Sequence, residues 1–425
     1  MLALGIIVLM LIMLFVGMPI GFTLIVTGSI GIFLVGGFDT FTGILSSTAY
    51  RGVNSFTLTT IPLFILMANF ISKSDIAKDL YDCLLKWIGH VPGGVGVSTV
   101  FASAGFGTLS GSSIAATSIM SKICVPEMIK AKYKDTFASG LVASSTGTLA
   151  VMIPPSVPLI LYAVQTETPI GPLLMAGIFP GILLALLLSL YIVFVSIKLK
   201  SKLDKATWRE RFISLKYIWP MVILVVFVLA IMYLGIATST EAAAFGAFGA
   251  LVLGMLMKRI DLKGMVEALK DACQQTAMIF TIVIGGSIFA YFFTLTGVGQ
   301  SIINSISEMG LSKWTILFLV IVFYLILGMV MDLISSMILT LPLIFPIMLS
   351  VGFDPIWFGV IVVLLLEIGL VTPPVGINLY ITSKQTGIPD SKVFKGSLPF
   401  IGVLLLTILL LIIFPQIILF LPSNM

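Results

Sequence analysis

One stretch decides the fold: Gly105-Phe106-Gly107-Thr108-Leu109-Ser110-Gly111-Ser112-Ser113, which interrupts an apolar segment that runs from Gly93 to Met128. A helix that crosses a bilayer in one piece does not favour this density of small and hydroxyl residues at its centre. Two half-helices of about 14 residues, one on each side, would each be about 21 Å long, whereas the hydrocarbon core is about 30 Å thick. The pattern therefore predicts a re-entrant hairpin whose tip lies deep in a membrane.

The rest of the chain has the composition of a membrane protein. Of its 425 residues, 59% are hydrophobic and 10% are charged, whereas soluble domains carry about 25% charged residues. Apolar stretches long enough to span recur from end to end. Residues 1–37 are too long for one span, so we expect a break at Gly17-Met18-Pro19. The chain is predicted to be an all-α, polytopic membrane protein.

The side chains that catalysis requires are sparse. His90 is the single histidine, and Cys83, Cys124 and Cys273 are far apart with no CxxC spacing. We therefore predict small buried cysteines, with neither a disulfide framework nor a thiolate metal site. The chain also lacks GxxxxGK[ST]. We expect no enzyme activity and no cofactor, and we interpret the net charge of +5 as a topology signal, not as a nucleic-acid site.

The interrupted pattern recurs with a shift of about 220 residues. Cys124-Val-Pro126-Glu-Met128 falls on Ile344-Phe-Pro346-Ile-Met348, and Ile153-Pro-Pro-Ser156 falls on Thr372-Pro-Pro-Val375. A constant offset between such landmarks indicates an internal repeat. Each copy is predicted to hold five spans and one hairpin, which gives about ten spans and two hairpins. Since five is odd, the second copy is predicted to be inverted relative to the first.

The charges support one orientation. With both termini outside, only Arg51 and Lys313 remain on the outer side, so that 23 minus 2, or 21 of 23 Lys and Arg, lie inside. An amphipathic segment, Asp75 to Ile88, is expected to lie along the membrane surface. The inner basic clusters are Lys73–Lys86, Lys122–Lys134, Lys198–Lys216, Lys258–Lys270 and Lys384–Lys395.

Four predicted helix breaks mark where a solute and ions would bind, because the free backbone groups of a broken helix need partners. Half-helix N-termini favour anionic groups, whereas exposed carbonyls and hydroxyls suit a hard cation such as sodium. The breaks are the hairpin tips Gly107–Ser113 and Gly328–Asp332 and the unwound stretches Ser144–Pro155 and Gly369–Gly376.

Three acidic residues fall within apolar segments, where a charge is costly and usually functional. Asp332, at the second hairpin tip, is predicted to bind solute or ion, to cap the following half-helix, or to do both. Glu367 is left open between gating and structural pairing. Glu241 follows Thr238-Ser239-Thr240 and is predicted to begin a helix.

Four motifs together resemble the large membrane subunit of TRAP (tripartite ATP-independent periplasmic) transporters: Ser110-Gly-Ser-Ser-Ile-Ala-Ala-Thr117, Ile153-Pro-Pro-Ser-Val-Pro158, Thr240-Glu-Ala-Ala-Ala244 and Gly369-Leu-Val-Thr-Pro-Pro-Val-Gly376. The resemblance covers essentially the full chain. It implies sodium-driven import of an organic acid, sialic acid or a C4-dicarboxylate, across a bacterial inner membrane. It also implies an elevator mechanism, in which a transport domain moves against a scaffold.

The resemblance further implies two protein partners, a four-helix small membrane subunit and a periplasmic binding protein. The small subunit is expected to be a separate chain, since no four-helix extension precedes the first span. A stand-alone divalent-anion sodium symporter with similar hairpins is the alternative, and it differs in needing no binding protein. An intramembrane enzyme and a passive channel are weaker alternatives.

Residue roles and domains follow from the same resemblance. The implied sodium positions are Ser103, Gly107, Gly147 and Pro154 with the first hairpin, and Gly328, Gly369, Thr372 and Val375 with the second. The implied solute contacts are Ser110, Ser112, Ser113 and Asp332. The expected parts are scaffold and interfacial arm at 1–92, transport domain at 93–170, scaffold, basic loop and second arm at 171–310, transport domain at 311–386, and a C-terminal helix at 387–425.

Overall fold

The structure is a computed structural model that describes residues 2–51, 54–74, 76–197, 203–301, 304 and 310–425. All regular elements in these ranges are helices. Six of the described helices are long and apolar enough to cross a membrane, and up to nine spans result if each bent pair counts as one. The all-α polytopic class is thus confirmed, although these criteria give fewer spans than the ten predicted.

Helices follow one another throughout the described ranges. Their bounds, in chain order, are Leu2–Phe15, Ile20–Arg51, Thr60–Ser72, Ile76–Ile88, Gly94–Ser110, Ser113–Lys130, Asp135–Met152, Val157–Thr166, Ile170–Ala176, Ile178–Ser196, Trp208–Tyr233, Ser239–Leu256, Leu262–Thr296, Lys313–Gly328, Leu333–Ser350, Pro355–Leu370, Ile377–Thr386, Asp390–Ile413 and Gln416–Leu419.

The first predicted break is confirmed. Helix Leu2–Phe15 ends before Gly17, which has a φ of 89°, and the next helix begins at Ile20, directly after Pro19. A positive φ favours glycine, and proline suits a helix start. The second helix then runs to Arg51 with one non-helical residue, Gly37. Hydropathy alone did not predict this extension.

Hairpin 1 consists of Gly94–Ser110 and Ser113–Lys130, and hairpin 2 of Lys313–Gly328 and Leu333–Ser350. The interruption in hairpin 1 is shorter than predicted, because residues 105–110 stay helical and only Gly111 and Ser112 are not. Gly111 has a φ of 57°, and Ser112 Oγ accepts a hydrogen bond from the backbone N–H of Ala115 at 3.4 Å. Small residues alone therefore did not end the helix, whereas a glycine followed by an N-cap serine did.

Broken span 1 consists of Asp135–Met152 and Val157–Thr166, and broken span 2 of Pro355–Leu370 and Ile377–Thr386. The prediction of an unwound stretch from Ser144 was wrong, because the helix continues to Met152 and only 153–156 are non-helical. Thr148 Oγ1 donates to Ser144 O in the preceding turn at 2.9 Å, whereas Ser144 Oγ and Ser145 Oγ are buried without a hydrogen-bond partner among the described residues. The two halves of broken span 1 are bent by 47°, and the Pro154–Pro155 and Pro373–Pro374 peptide bonds at the two breaks are both cis.

Each hairpin packs against the broken span of its own half through glycine. A Cβ at Gly107 would collide with the backbone of Ala150, and one at Gly369 would collide with the backbone of Gly328. Backbone hydrogen bonds join the same elements: Val157 N donates to Gly111 O at 3.4 Å, and Val375 N donates to Met329 O at 3.3 Å. Hairpin and broken span therefore form one close-packed body in each half.

The C-terminal helix Asp390–Ile413 also packs against broken span 1. Gly396 contacts the carbonyl of Thr136 so closely that no Cβ fits, and Gly140 faces Gly396 in the same way. Lys392 Nζ lies 2.7 Å from Asp135 Oδ2 at the end of this contact. Small residues on both helices thus bring the two backbones together.

A second set of helices lies outside the two bodies that the hairpins form with their broken spans. Helix Ile20–Arg51 packs along Leu262–Thr296, and Gly21, Gly28 and Gly31 leave room for Thr281, Phe289 and Phe292. The predicted amphipathic segment forms helix Ile76–Ile88, bent by 64° from the preceding span. Asp75 lies outside the described residues. We refer to the helices between residues 20 and 88 and between 208 and 296 as the outer helices.

Contacts connect the predicted inner basic clusters to one another. Lys73 Nζ lies 3.2 Å from Glu267 Oε2, Ser214 Oγ lies 3.3 Å from Cys83 Sγ, and Lys392 pairs with Asp135, next to Lys134. Tyr133 Oη lies 3.3 Å from Ser196 Oγ, just before the predicted Lys198–Lys216 cluster. Lys198, Lys200 and Lys202 lie outside the described residues. These contacts join all five regions.

Candidate solute and ion site

A cavity of about 860 Å³ lies between the hairpins and broken spans on one side and the outer helices on the other. Both hairpin tips form one side, together with Val151 and Leu370 beside the two helix breaks. Outer-helix residues such as Phe22, Ile65 and Gln275 form the other side. This volume is within the range of ligand pockets, about 300–1,000 Å³.

The four predicted solute residues all line this cavity: Ser110, Ser112, Ser113 and Asp332. They come from the two hairpin tips, so the fold brings together residues more than 200 positions apart in the chain. Ser112 and Asp332 are the N-caps of the second half-helices of their hairpins. Asp332 Oδ1 accepts a hydrogen bond from the N–H of Ser335 at 3.1 Å, which establishes the capping role considered for it. The cap bond leaves its second oxygen, Oδ2, without a hydrogen bond among the described residues.

The charged side chains that line the cavity are acidic. No Lys, Arg or His is among its described lining residues, and two carboxyl groups, Asp332 and Glu367, are. The N-termini of the half-helices that begin at Ser113 and Leu333 point partial positive charge at the cavity. An organic anion bound here would therefore depend on these helix ends and on bound cations.

Glu367 lies at the bottom of the cavity in a buried polar cluster. Its side chain is fully buried, and Oε2 accepts a hydrogen bond from Ser113 Oγ at 3.0 Å. Ser113 Oγ in turn accepts one from Asn378 Nδ2 at 2.9 Å. Gly147 completes the cluster, since a Cβ there would lie 2.5 Å from Asn378 Nδ2 and 3.1 Å from Glu367 Oε2.

The predicted sodium positions of the first half lie on hairpin 1 and broken span 1. Ser103 Oγ is 2.9 Å from Thr146 Oγ1, one residue before Gly147, and Gly107 contacts Ala150 one turn further on. Pro154 lies in the break between the two halves of the span. Gly147 itself faces Ser113, Asn378 and Glu367.

The positions of the second half are arranged similarly. Gly328 contacts Gly369, and Val375 donates to the carbonyl of Met329, the residue after Gly328. Thr372 Oγ1 donates to Ile368 O at 2.6 Å. Hydroxyl and backbone oxygens thus accumulate at each hairpin–span contact, and these are the ligands that hard cations prefer.

The structure also tests the predictions for Glu241 and for the three cysteines. Glu241 accepts from the N–H of Thr238 at 2.8 Å in a capping box, which confirms that it begins helix Ser239–Leu256. Cys83 and Cys124 are buried as predicted, but Cys273 is exposed on helix Leu262–Thr296. The prediction for Cys273 was wrong because its helix presents that face outward from the chain.

Sequence reasoning missed two polar residues of the site. Asn378 is the second residue of the half-helix after Gly376 and is fully buried, and an asparagine directly after a helix break was an available signal. Gln275 lines the cavity from helix Leu262–Thr296, and its Nε2 lies 3.4 Å from Asn69 Oδ1. Nothing in its local sequence distinguished it from the neighbouring Gln274.

The fold and the cavity define a class: a polytopic helical membrane protein with paired hairpins and broken helices around a central site. Two solved transporters share this fold. The Alcanivorax borkumensis YdaH transporter aligns with a TM-score of 0.67 over 96% of this chain and 98% of its own, at 11% identity. Neisseria gonorrhoeae MtrF aligns with a TM-score of 0.60 over 93% of each chain, at 14% identity. At these identities the likeness shows the fold alone.

A family match assigns the chain more narrowly than the shared fold does. Residues 7–417 match the family described as "Tripartite ATP-independent periplasmic transporter, DctM component". The chain therefore belongs to the DctM family of TRAP transporter large permease subunits, as the four motifs predicted.

Its relatives are permeases with different solutes in their names. A C4-dicarboxylate TRAP large permease, DctM of Pseudomonas aeruginosa, is 35% identical over 87% of this chain and 86% of its own. A sialic acid permease, SiaM of Vibrio cholerae, is 32% identical over 97% and 96%. The ectoine/5-hydroxyectoine permease UehC of Ruegeria pomeroyi is also 32% identical over 97% and 96%.

Proposed function

We propose that this chain is the large membrane subunit of a sodium-coupled, binding-protein-dependent transporter that imports an organic acid. The solute is of the sialic acid or C4-dicarboxylate class. The cavity carries this proposal, because both hairpin tips and the four residues predicted to contact solute line it, and its volume suits a small organic acid. Membership of a tripartite transporter family supports a small membrane subunit and a periplasmic binding protein as partners.

Sodium is proposed as the coupling ion for an electrostatic reason. An anionic solute would enter a cavity that already holds Asp332 and Glu367 and to which no described basic side chain contributes. Cations bound at the two hairpin–span contacts would neutralise this charge and make solute binding depend on sodium. The eight positions assigned above by resemblance remain the proposed ligands.

We further propose inverted repeats, an elevator movement and a bacterial inner-membrane location with both termini periplasmic. The hairpins and broken spans recur in the same order in both halves. Their glycine contacts support movement of each hairpin together with its span, and the connected basic clusters support one cytoplasmic face.

The proposal is tested by uptake into proteoliposomes that contain this chain and its small subunit. Solute should accumulate only with an inward sodium gradient and loaded binding protein. Uptake that persists when sodium is replaced by choline would refute the coupling. Uptake of free solute without the binding protein would favour the stand-alone symporter instead.

A further inference from the structure

The buried cluster around Glu367 leaves two oxygen atoms without a partner. Ser113 Oγ bonds both Glu367 Oε2 and Asn378 Nδ2, which occupies one atom of each side chain. The other atoms, Glu367 Oε1 and Asn378 Oδ1, are buried and have no hydrogen-bond partner among the described residues. Both residues are fully buried. The two unpartnered oxygens therefore belong to side chains that share a single hydroxyl.

Two buried oxygens without hydrogen-bond partners among the described residues destabilise the folded protein. A buried acceptor without a donor is destabilising, and an uncompensated buried charge is more strongly so. The ion pairs of the described residues do not include Glu367. One bound cation in contact with Glu367 Oε1 and Asn378 Oδ1 would satisfy both oxygens and neutralise the carboxylate.

We propose that Glu367, Asn378 and Ser113 form a sodium site additional to the two sodium sites proposed at the hairpin–span contacts, one in each half. Carboxylate, amide and hydroxyl oxygens are hard ligands of the kind that alkali and alkaline-earth cations take. Gly147 lets the cluster close up, since a Cβ there would collide with Ser113 Oγ and Asn378 Nδ2 and lie 3.1 Å from Glu367 Oε2. Ser113 and Glu367 also line the cavity, so that the ion reaches the site by the route of the solute.

The site has no counterpart in the other half of the chain. The offset of 219 residues that aligns the two broken spans places Thr148 opposite Glu367 and Leu159 opposite Asn378. A threonine and a leucine do not supply a carboxylate and an amide. The cluster is therefore a departure from the repeat, and it connects hairpin 1 to both halves of broken span 2.

This inference rests on the proposed sodium coupling, and its test separates the two. Equilibrium binding of radioactive sodium is measured on the purified complex of this chain with its small subunit. Glu367→Gln, which keeps size and the bond from Ser113, should bind one sodium fewer per chain. Ser113→Ala, a smaller change, should weaken the same sodium about tenfold or more. Glu241→Gln, at a capping box whose residues do not line the cavity, is the matched control and should bind as many sodium ions as the wild type.

Three outcomes overturn the site. An unchanged number and affinity of sodium ions in both Glu367→Gln and Ser113→Ala would mean that Oε1 carries a proton instead. A wild-type complex that binds no sodium would refute the sodium coupling and this site together. Sodium binding at the wild-type number in Glu367→Gln, with sodium-driven uptake intact, would refute the site alone.

Discussion

Replacing Asp332 in two ways separates its two roles. Asp332→Ala removes both the N-cap bond to Ser335, 3.1 Å long, and the carboxylate that lines the cavity. Loss of the cap costs about 1 kcal/mol, which a folded domain with about 5–15 kcal/mol of stability tolerates. Asp332→Ser keeps a strong N-cap and removes only the charge. The serine variant should therefore insert and melt like the wild type.

Transport should fail in both variants. A hydrogen bond to a charged group contributes about 1.5–3 kcal/mol, and this corresponds to roughly a 10- to 150-fold loss in apparent solute or ion affinity. The assay is initial uptake into proteoliposomes with matched amounts of protein, together with the melting temperature of each variant. Wild-type uptake by Asp332→Ser would refute the ligand role and leave the cap as the only function of this carboxylate.

Three other changes follow from the packing. Gly369→Ala places a methyl group against the backbone of hairpin 2 and should cost about 1–3 kcal/mol in thermal unfolding, whereas Gly402→Ala, with open space around it, should cost nothing. Gln275→Leu should raise KM about tenfold with little change in maximal uptake, because it removes one polar contact on the outer wall; an unchanged KM would exclude Gln275 from solute binding. Although burial opposes it, bonding to Glu267 and Asp271 raises the pKa of Lys73. Lys73→Gln should thus lower the free energy of unfolding by at most about 0.5 kcal/mol. The loss should be equal from pH 6 to 9, because a lysine whose pKa is raised by folding stabilises fully below its unfolded pKa and loses this effect only as pH rises through its folded pKa. A free-energy cost that changes between pH 6 and 9 would refute the ion-pair role of Lys73.

The fold class and the family were predictable because they depend on long apolar stretches and on strong breaking signals. Pro19 with Gly17 ended one helix where predicted, and the capping residue Asp332 marked the second hairpin tip. Runs of small and hydroxyl residues were weaker signals. The serines and threonine at 144–146 remain helical, because tertiary packing of a fully buried helix outweighs their low intrinsic propensity.

The members of the site were only partly predictable. Hairpin tips and helix breaks could be found along the sequence, and the four residues that the resemblance implied as solute contacts all line the cavity. The contact between Ser113 and Glu367 joins residues 254 positions apart and has no local pattern. Gln275 enters the cavity only because helix Leu262–Thr296 packs beside helix Ile20–Arg51. Such residues depend on how separate helices assemble.

The contact of Gly396 with Thr136 and Gly140 has a practical consequence. Because the two backbones touch, helix Asp390–Ile413 cannot slide relative to broken span 1 without losing that fit. A fluorophore on the last turn of this helix would therefore report the position of hairpin 1 and its span, while a second dye on helix Leu262–Thr296 would report the outer helices. Under the proposed elevator movement, the distance between the two dyes would change during transport, with the second dye placed outside the cavity-lining stretch between Gln275 and Ile282.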